Sequence, residues 1–229
     1  MKRVLVIVAL VAAAFAARVD TAAATTECRG FMACVPVAGP WVVVPTSRAI
    51  QRPQVEFQLR CPRGFVVGGV DAELTDRAID VWFLGASGSP ISPGRTTSRT
   101  VVFLATYVGT RTTPPTFRPH AGCVPARGGG SRTPTSVSSV FPPRRPTVRR
   151  VRTFRITTSR GVAVGCRRDE RLVAAYSATG FRTAKPPSSA LIASLSARPA
   201  LARDHITVMA RGGGGRAVVQ VAAVCAGGR

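Results

Sequence analysis

Two stretches of this chain open and close on cysteine over almost the same span: Cys61 and Cys123 are 62 residues apart, Cys166 and Cys225 are 59. Their openings agree in kind. Cys61-Pro-Arg-Gly-Phe-Val-Val-Gly-Gly-Val lies over Cys166-Arg-Arg-Asp-Glu-Arg-Leu-Val-Ala-Ala with one inserted residue, as cysteine, polar turn, apolar pair and two small residues. Val101-Val-Phe-Leu-Ala and Ile206-Thr-Val-Met-Ala then fall at equal distances after the two first cysteines. A repeat of this kind predicts two units of like architecture, each closed by its own bridge, Cys61 with Cys123 and Cys166 with Cys225. Cys28 and Cys34 are left to close a small N-terminal loop. On spacing alone, six cysteines would allow about 15 pairings.

The residues around the cysteines predict strands. Val55, Phe57, Leu59 and Cys61 alternate with Glu56, Gln58 and Arg60, and Val219, Val221, Ala223 and Cys225 alternate around Gln220. Period two places each cysteine on a buried strand face, where a staple can form. Further short runs, rich in β-branched and aromatic residues and bounded by Gly or Pro, lie at 41–45, 65–70, 79–84, 100–108, 154–158 and 206–209. The expected fold is all-β: two tandem antiparallel β-sandwich-like domains, each with an internal disulfide. Ser188 to Ala197 reads as a strand matching Ile79 to Leu84, although its apolar residues also suit a helix. The run Gly212 to Gly215 reads as a mobile hairpin tip, because no Lys-Ser/Thr pair follows to make a phosphate loop.

The ends and the middle set the boundaries. Lys2 and Arg3 followed by an uninterrupted apolar run from Val4 to Ala17 read as a signal peptide over 1–24. That run is shorter than the about 20 residues a membrane-crossing helix needs, and no later run is long and apolar enough to anchor the chain. A secreted, extracytoplasmic location is expected, in keeping with three disulfides. Residues 25–40 form an N-terminal segment, 41–126 and 149–229 the two repeats, and 127–148 a Pro-, Gly-, Ser- and Arg-rich linker stiffened by Pro142, Pro143 and Pro146.

The formal charge is +22, carried by 30 Arg and 2 Lys with no Asn in the chain, a skew that G- and C-rich codons produce without selection. Losing residues 1–24 removes Lys2, Arg3, Arg18 and Asp20, so the mature protein stays strongly basic. Such a field concentrates polyanions without fixing a partner. The densest cationic stretch is Arg144, Arg145, Arg149, Arg150, Arg152 and Arg155, a candidate anion-binding surface; the competing reading is a solvated linker held open by self-repulsion.

No catalytic constellation is visible. His120 and His205 read as structural or surface residues, and Asp204-His205 is a sequence neighbour pair rather than an arranged dyad. The disulfides claim every cysteine, and none has C-x-x-C spacing. Asp71, Glu73, Asp76 and Asp80 lack a calcium-loop pattern and read as a solvated turn balancing arginines such as Arg77. Trp41, Trp82 and Phe83 read as packing residues. No metal or cofactor is expected.

The elements Cys61-Pro-Arg-Gly…Gly68-Gly69, Val221-Ala-Ala-Val-Cys-Ala and Cys28…Cys34-Val-Pro-Val-Ala-Gly-Pro-Trp resemble a repeat family of secreted bacterial proteins of unknown function. In it, C-P-x-G…G-G opens a unit and x-V-C-A closes it. The resemblance implies no activity. The expectation is a non-catalytic binding or envelope-associated module; the alternatives are a binder of nucleic acid or an envelope polyanion, and a hydrolase of unrevealed class, which would need a deep pocket with convergent polar groups.

Overall fold

A computed structural model describes residues 25–47, 52–85, 99–126 and 147–227. The signal segment, most of the linker, Arg144 and Arg145 lie outside the described residues. Among those described, the strands are β1 (Val35–Ala38), β2 (Trp41–Val43), β3 (Gln54–Arg60), β4 (Phe65–Leu74), β5 (Ile79–Gly85), β6 (Thr100–Tyr107), β7 (Thr116–Pro125), β8 (Thr147–Ile156), β9 (Arg160–Gly165), β10 (Glu170–Phe181), β11 (Ser196–Leu201), β12 (His205–Arg211) and β13 (Ala217–Gly227). The all-β, antiparallel expectation holds, and the bridges Cys28–Cys34, Cys61–Cys123 and Cys166–Cys225 are formed.

One seven-stranded sheet runs through both halves. β4 takes one edge of β7, β1 and β2 share the other, and β10, β13 and β8 follow from the far edge of β2. Two three-stranded sheets, β3-β6-β5 and β9-β12-β11, complete the fold. Three antiparallel pairings separate β4 from β10, so these equivalent strands point in opposite directions while the order of their neighbours is kept. Reversing direction while keeping order exchanges the two faces of a sheet. The small sheets accordingly cover opposite faces: Val42, Val44 and Ala178 join the core under β3-β6-β5, whereas Val43 and Phe181 face the core under β9-β12-β11.

This arrangement accounts for the uninterrupted apolar runs. Trp41-Val-Val-Val and Ala217 to Cys225 are buried on both faces, and strands of that kind carry no polar alternation. Gln220 is the exception within β13. It projects away from the second core toward β3, an edge strand; its carboxamide accepts from the Gln58 amide at 2.6 Å and donates to the Gln58 carbonyl at 3.0 Å. One side chain thus satisfies the unpaired backbone of an edge strand, and its Nε2 also donates to Thr153 Oγ1 at 3.0 Å.

Three expectations are corrected. Residues 188–197 are not one strand: helix α1 (Ser189–Ala193) comes first, and β11 begins only at Ser196. After Pro186-Pro187, Ser188 caps the helix by accepting from the Leu191 amide at 3.3 Å, and Leu191, Ile192 and Leu195 pack on the second core. The glycine run is not a hairpin tip, because β12 and β13 belong to different sheets. It makes a 3-10 turn at Gly213–Gly215 that crosses from one sheet to the other, with positive φ from Gly212 to Gly215 and Gly213 buried. Finally, Trp41 packs in the core, but Trp82 and Phe83 on the edge strand β5 remain 51% and 54% exposed.

Candidate functional site

The acidic group predicted as a solvated turn is dispersed by the fold. Asp71 and Glu73 stand two apart on β4 and share its outer face; Asp76 lies in the following turn and Asp80 on β5. Asp76 pairs with Arg111 at 3.2 Å rather than with Arg77, and receives the Tyr107 hydroxyl at 3.3 Å. On β7, His120 sits opposite Asp71. Its Nε2 lies 2.8 Å from Glu73 Oε1 and its Nδ1 lies 3.7 Å from Glu27 Oε1, with the ring almost completely buried. The Cys28–Cys34 loop closes over this face: Thr26 donates its amide to Asp71 at 2.7 Å and its hydroxyl at 3.2 Å.

Two glycines make that closure possible. Gly69 and Gly122 are register partners, and a Cβ on either would stand 2.1 or 2.0 Å from the Glu27 carbonyl oxygen. Only bare backbone admits the loop there. Burial works to raise the Asp71 pKa, but hydrogen bonds from Thr26 and Ala72 and the nearby His120 outweigh it, holding the carboxyl below its usual value. A general base must reach a substrate proton. His120 lies buried between Glu73 and Glu27 beneath the disulfide loop.

His205 lies at the start of β12 with Nδ1 2.7 Å from Asp204 Oδ1, both exposed. The hydrogen bond with His205 keeps the Asp204 carboxyl below its usual range. Among the described residues, one trio of ligand-type atoms converges within 4.8 Å, those of Cys166, Glu170 and Cys225. Both sulfurs are committed to a disulfide, and Glu170 accepts from Arg150 and from the Arg167 amide.

The arginine stretch does not form one surface. Residues 147–156 are strand β8, so successive guanidiniums leave opposite faces. Arg149 turns toward β3, where Nη1 meets the buried Glu56 at 2.6 Å and the guanidinium lies 5.1 Å above the Tyr176 ring. Burial, with Glu56 beside it, pushes the Tyr176 phenol upward. Arg150 grips Glu170 with two bonds of 2.6 and 2.9 Å, which with the Arg167 amide hold that carboxyl low. Arg152 and Arg155 are exposed, and being an odd number apart they point to opposite sides of the strand. The structure thus separates the six into two outside the described residues, two in ion pairs and two on opposite faces.

A different cationic group escaped the sequence reading. On the outer face of β9-β12-β11, Arg198, Arg211, Ser159 and Ser196 line a cleft of about 230 Å³ floored by Met209. Their only sequence signal was period-two spacing, Ser196-Ala-Arg198 and Met209-Ala-Arg211, in strands not assigned as a sheet. A larger apolar cleft of about 600 Å³ opens between Val43, Pro45 and Pro114 on one side and Ile192 and Leu195 on the other. Among the described residues no helix is long and apolar enough to cross a membrane. No known protein family matches the chain, and no curated protein or solved structure is similar to it.

Proposed function

We propose that this is an exported, non-catalytic binding module that holds anionic polymers of the cell envelope through exposed arginines spread over its surface. The observation that carries this reading is how the carboxylates are used. Glu27 and Glu56 are buried, Asp71 holds Thr26, Glu73 faces His120, Asp76 holds Arg111, Glu170 holds Arg150 and Asp204 holds His205. Arg60, Arg63, Arg152, Arg155, Arg168 and Arg203, by contrast, stand exposed. Most carboxylates among the described residues are thus spent on internal ties, with Asp80 and Asp169 exposed, and the large excess of arginine leaves a positive surface field, which draws polyanions by counterion release. Three disulfides suit an oxidising extracytoplasmic setting.

The test is retention of the purified protein on immobilised heparin, polyglutamate and neutral dextran. Retention on both polyanions that collapses between low and moderate salt, with none on dextran, is expected. Flow-through on both polyanions at low salt would overturn the reading.

A further inference from the structure

We propose that the outer face of the β9-β12-β11 sheet carries an oxyanion subsite for an anionic polysaccharide, formed by Arg198, Arg211, Ser159 and Ser196. The proposal deepens the polyanion reading and rests on it. Sheet register builds the site. Arg211 on β12 faces Ser196 on β11, and the pairing of Arg160 with Ala210 brings Ser159, one residue before β9, alongside Arg211 on its other flank. In the next row Met209 lies between Arg198 and Gly161. Buried Ile206, Val208 and Ala210 take the inner face of β12, so Met209 and Arg211 are turned outward together.

The row built on Gly161 has no side chain on its β9 side, and the Met209 thioether fills the space. A Cβ on Gly161 would stand 2.7 Å from Met209 Sδ. The cleft therefore has a soft apolar floor with two guanidiniums and two hydroxyls along its walls. Neither Arg198 nor Arg211 has an acidic partner among the described residues. Asp204, in the bend between β11 and β12, is engaged by His205 at the opposite end of β12 from Arg211. Uncompensated guanidiniums flanked by hydroxyl donors suit a carboxylate, sulfate or phosphate group, which accepts several charge-assisted hydrogen bonds at once.

The floor and the dimensions favour a saccharide as the carrier of that group. About 230 Å³ takes a single anionic residue rather than a folded polymer segment, and the apolar face of a sugar ring can rest on a thioether. Sequence-tolerant binding of single-stranded nucleic acid draws on aromatic platforms that stack successive bases. No aromatic residue lines this cleft.

Met209 supplies the test. The chain would be labelled with ¹³C at the methionine methyls and titrated with a heparin hexasaccharide and, separately, with a hexathymidylate. Met32, fully exposed in the N-terminal loop, is an internal control. Saturable movement of the Met209 methyl by the hexasaccharide, with Met32 still, is expected. Arg198→Gln/Arg211→Gln should weaken hexasaccharide binding about tenfold or more, the loss expected for charge-assisted bonds. Arg29→Gln/Arg77→Gln, which removes equal charge from exposed positions in the other half, should weaken it less than about twofold. A protein that holds heparin at low salt while Met209 stays still, or in which both double variants weaken alike, would overturn the subsite and leave the general reading standing. Stronger movement of Met209 by hexathymidylate than by the hexasaccharide would overturn the choice of a saccharide. Absence of retention on any polyanion would remove the general reading itself.

Discussion

β4 meets β7, and β10 meets β13, through the same irregularity. In each pair the residue opposite the closing cysteine is apolar, Val67 opposite Cys123 and Leu172 opposite Cys225, and a bulge follows at Gly68 and at Val173. The small sheets correspond too: β3-β6-β5 and β9-β12-β11 place equivalent strands in equivalent order. The halves differ in what lies on the bulge. In the first, Gly69 and Gly122 bare the backbone so that the Cys28–Cys34 loop can dock; in the second, the same positions hold Ala174 and Val224, and Val173 is left exposed. Shared wiring therefore sets the fold, and the substitutions at one bulge decide which outer face is covered.

The largest expected effect tests the wiring. The loops closed by Cys61–Cys123 and Cys166–Cys225 differ by only three residues, so the chain-entropy argument assigns each bridge about 4 kcal/mol. Cys61→Ser/Cys123→Ser and Cys166→Ser/Cys225→Ser should lower stability by similar amounts in urea titrations. Because β2 and β10 serve both cores, each variant should unfold in one transition. Two separated transitions would show that the continuous sheet does not couple the halves.

Next comes the bulge. Gly122→Val places a side chain where the Glu27 carbonyl lies, and undocking or overpacking should cost about 3 kcal/mol. The mirror change, Val224→Gly, meets no docked disulfide loop among the described residues and should cost about 1 kcal/mol, the loss of a strand side chain. Calorimetry of the two variants compares them directly, and equal costs would deny the loop its special demand for glycine.

Much of this was legible in the residues, and the parts that were not have physical reasons. Cysteine spacing and period two gave the bridges and most strands of the first half, because Val55, Phe57, Leu59 and Cys61 keep the apolar side chains of that stretch on one face. The alignment of the two openings needed no inserted residue: Val67 and Leu172 both lie six positions after their cysteine, and the bulge that follows imitates a gap. β10 went unassigned because a strand that serves a core on each face, with Ala178 to one and Phe181 to the other, shows no alternation. The arginine stretch looked like one surface because charge density in sequence carries no information about face. In a strand, neighbours part, and Glu56 and Glu170, distant in sequence, claimed two of the six.

A smaller effect concerns the contact where the halves meet. Gln220→Leu keeps volume but strips both partners from the Gln58 backbone, and stranding a half-buried amide and carbonyl should cost about 2 kcal/mol. Gln58→Ala should be nearly silent, because the interaction uses only the backbone of that residue. If the two changes cost the same in urea titrations, the side chain of Gln58 and not the carboxamide of Gln220 would be the tie.

The smallest effect distinguishes the covered face by its pH dependence. Asp71 is held below its ordinary pKa by the amide and hydroxyl of Thr26, by the Ala72 amide and by His120, against the cost of its burial. A carboxyl whose folded pKa is depressed stabilises the fold fully above its unfolded value, about 3.9, and that contribution disappears as pH falls through the lower folded value. Glu27, Glu73 and His120 face the same contact, so Asp71→Asn is compared with the wild type over that acid range rather than at one pH. The variant should lose less than about 1 kcal/mol at neutral pH, discounted because the carboxylate is partly solvated, and the difference should fade as pH falls below the unfolded value and through the depressed folded one. Proteolysis within residues 25–34, followed by mass spectrometry, reports the same event locally: docking should loosen on acidification in the wild type and be looser in the variant already at neutral pH. A difference that persisted unchanged into strong acid would mean that the Thr26 amide, not the charge of Asp71, secures the loop.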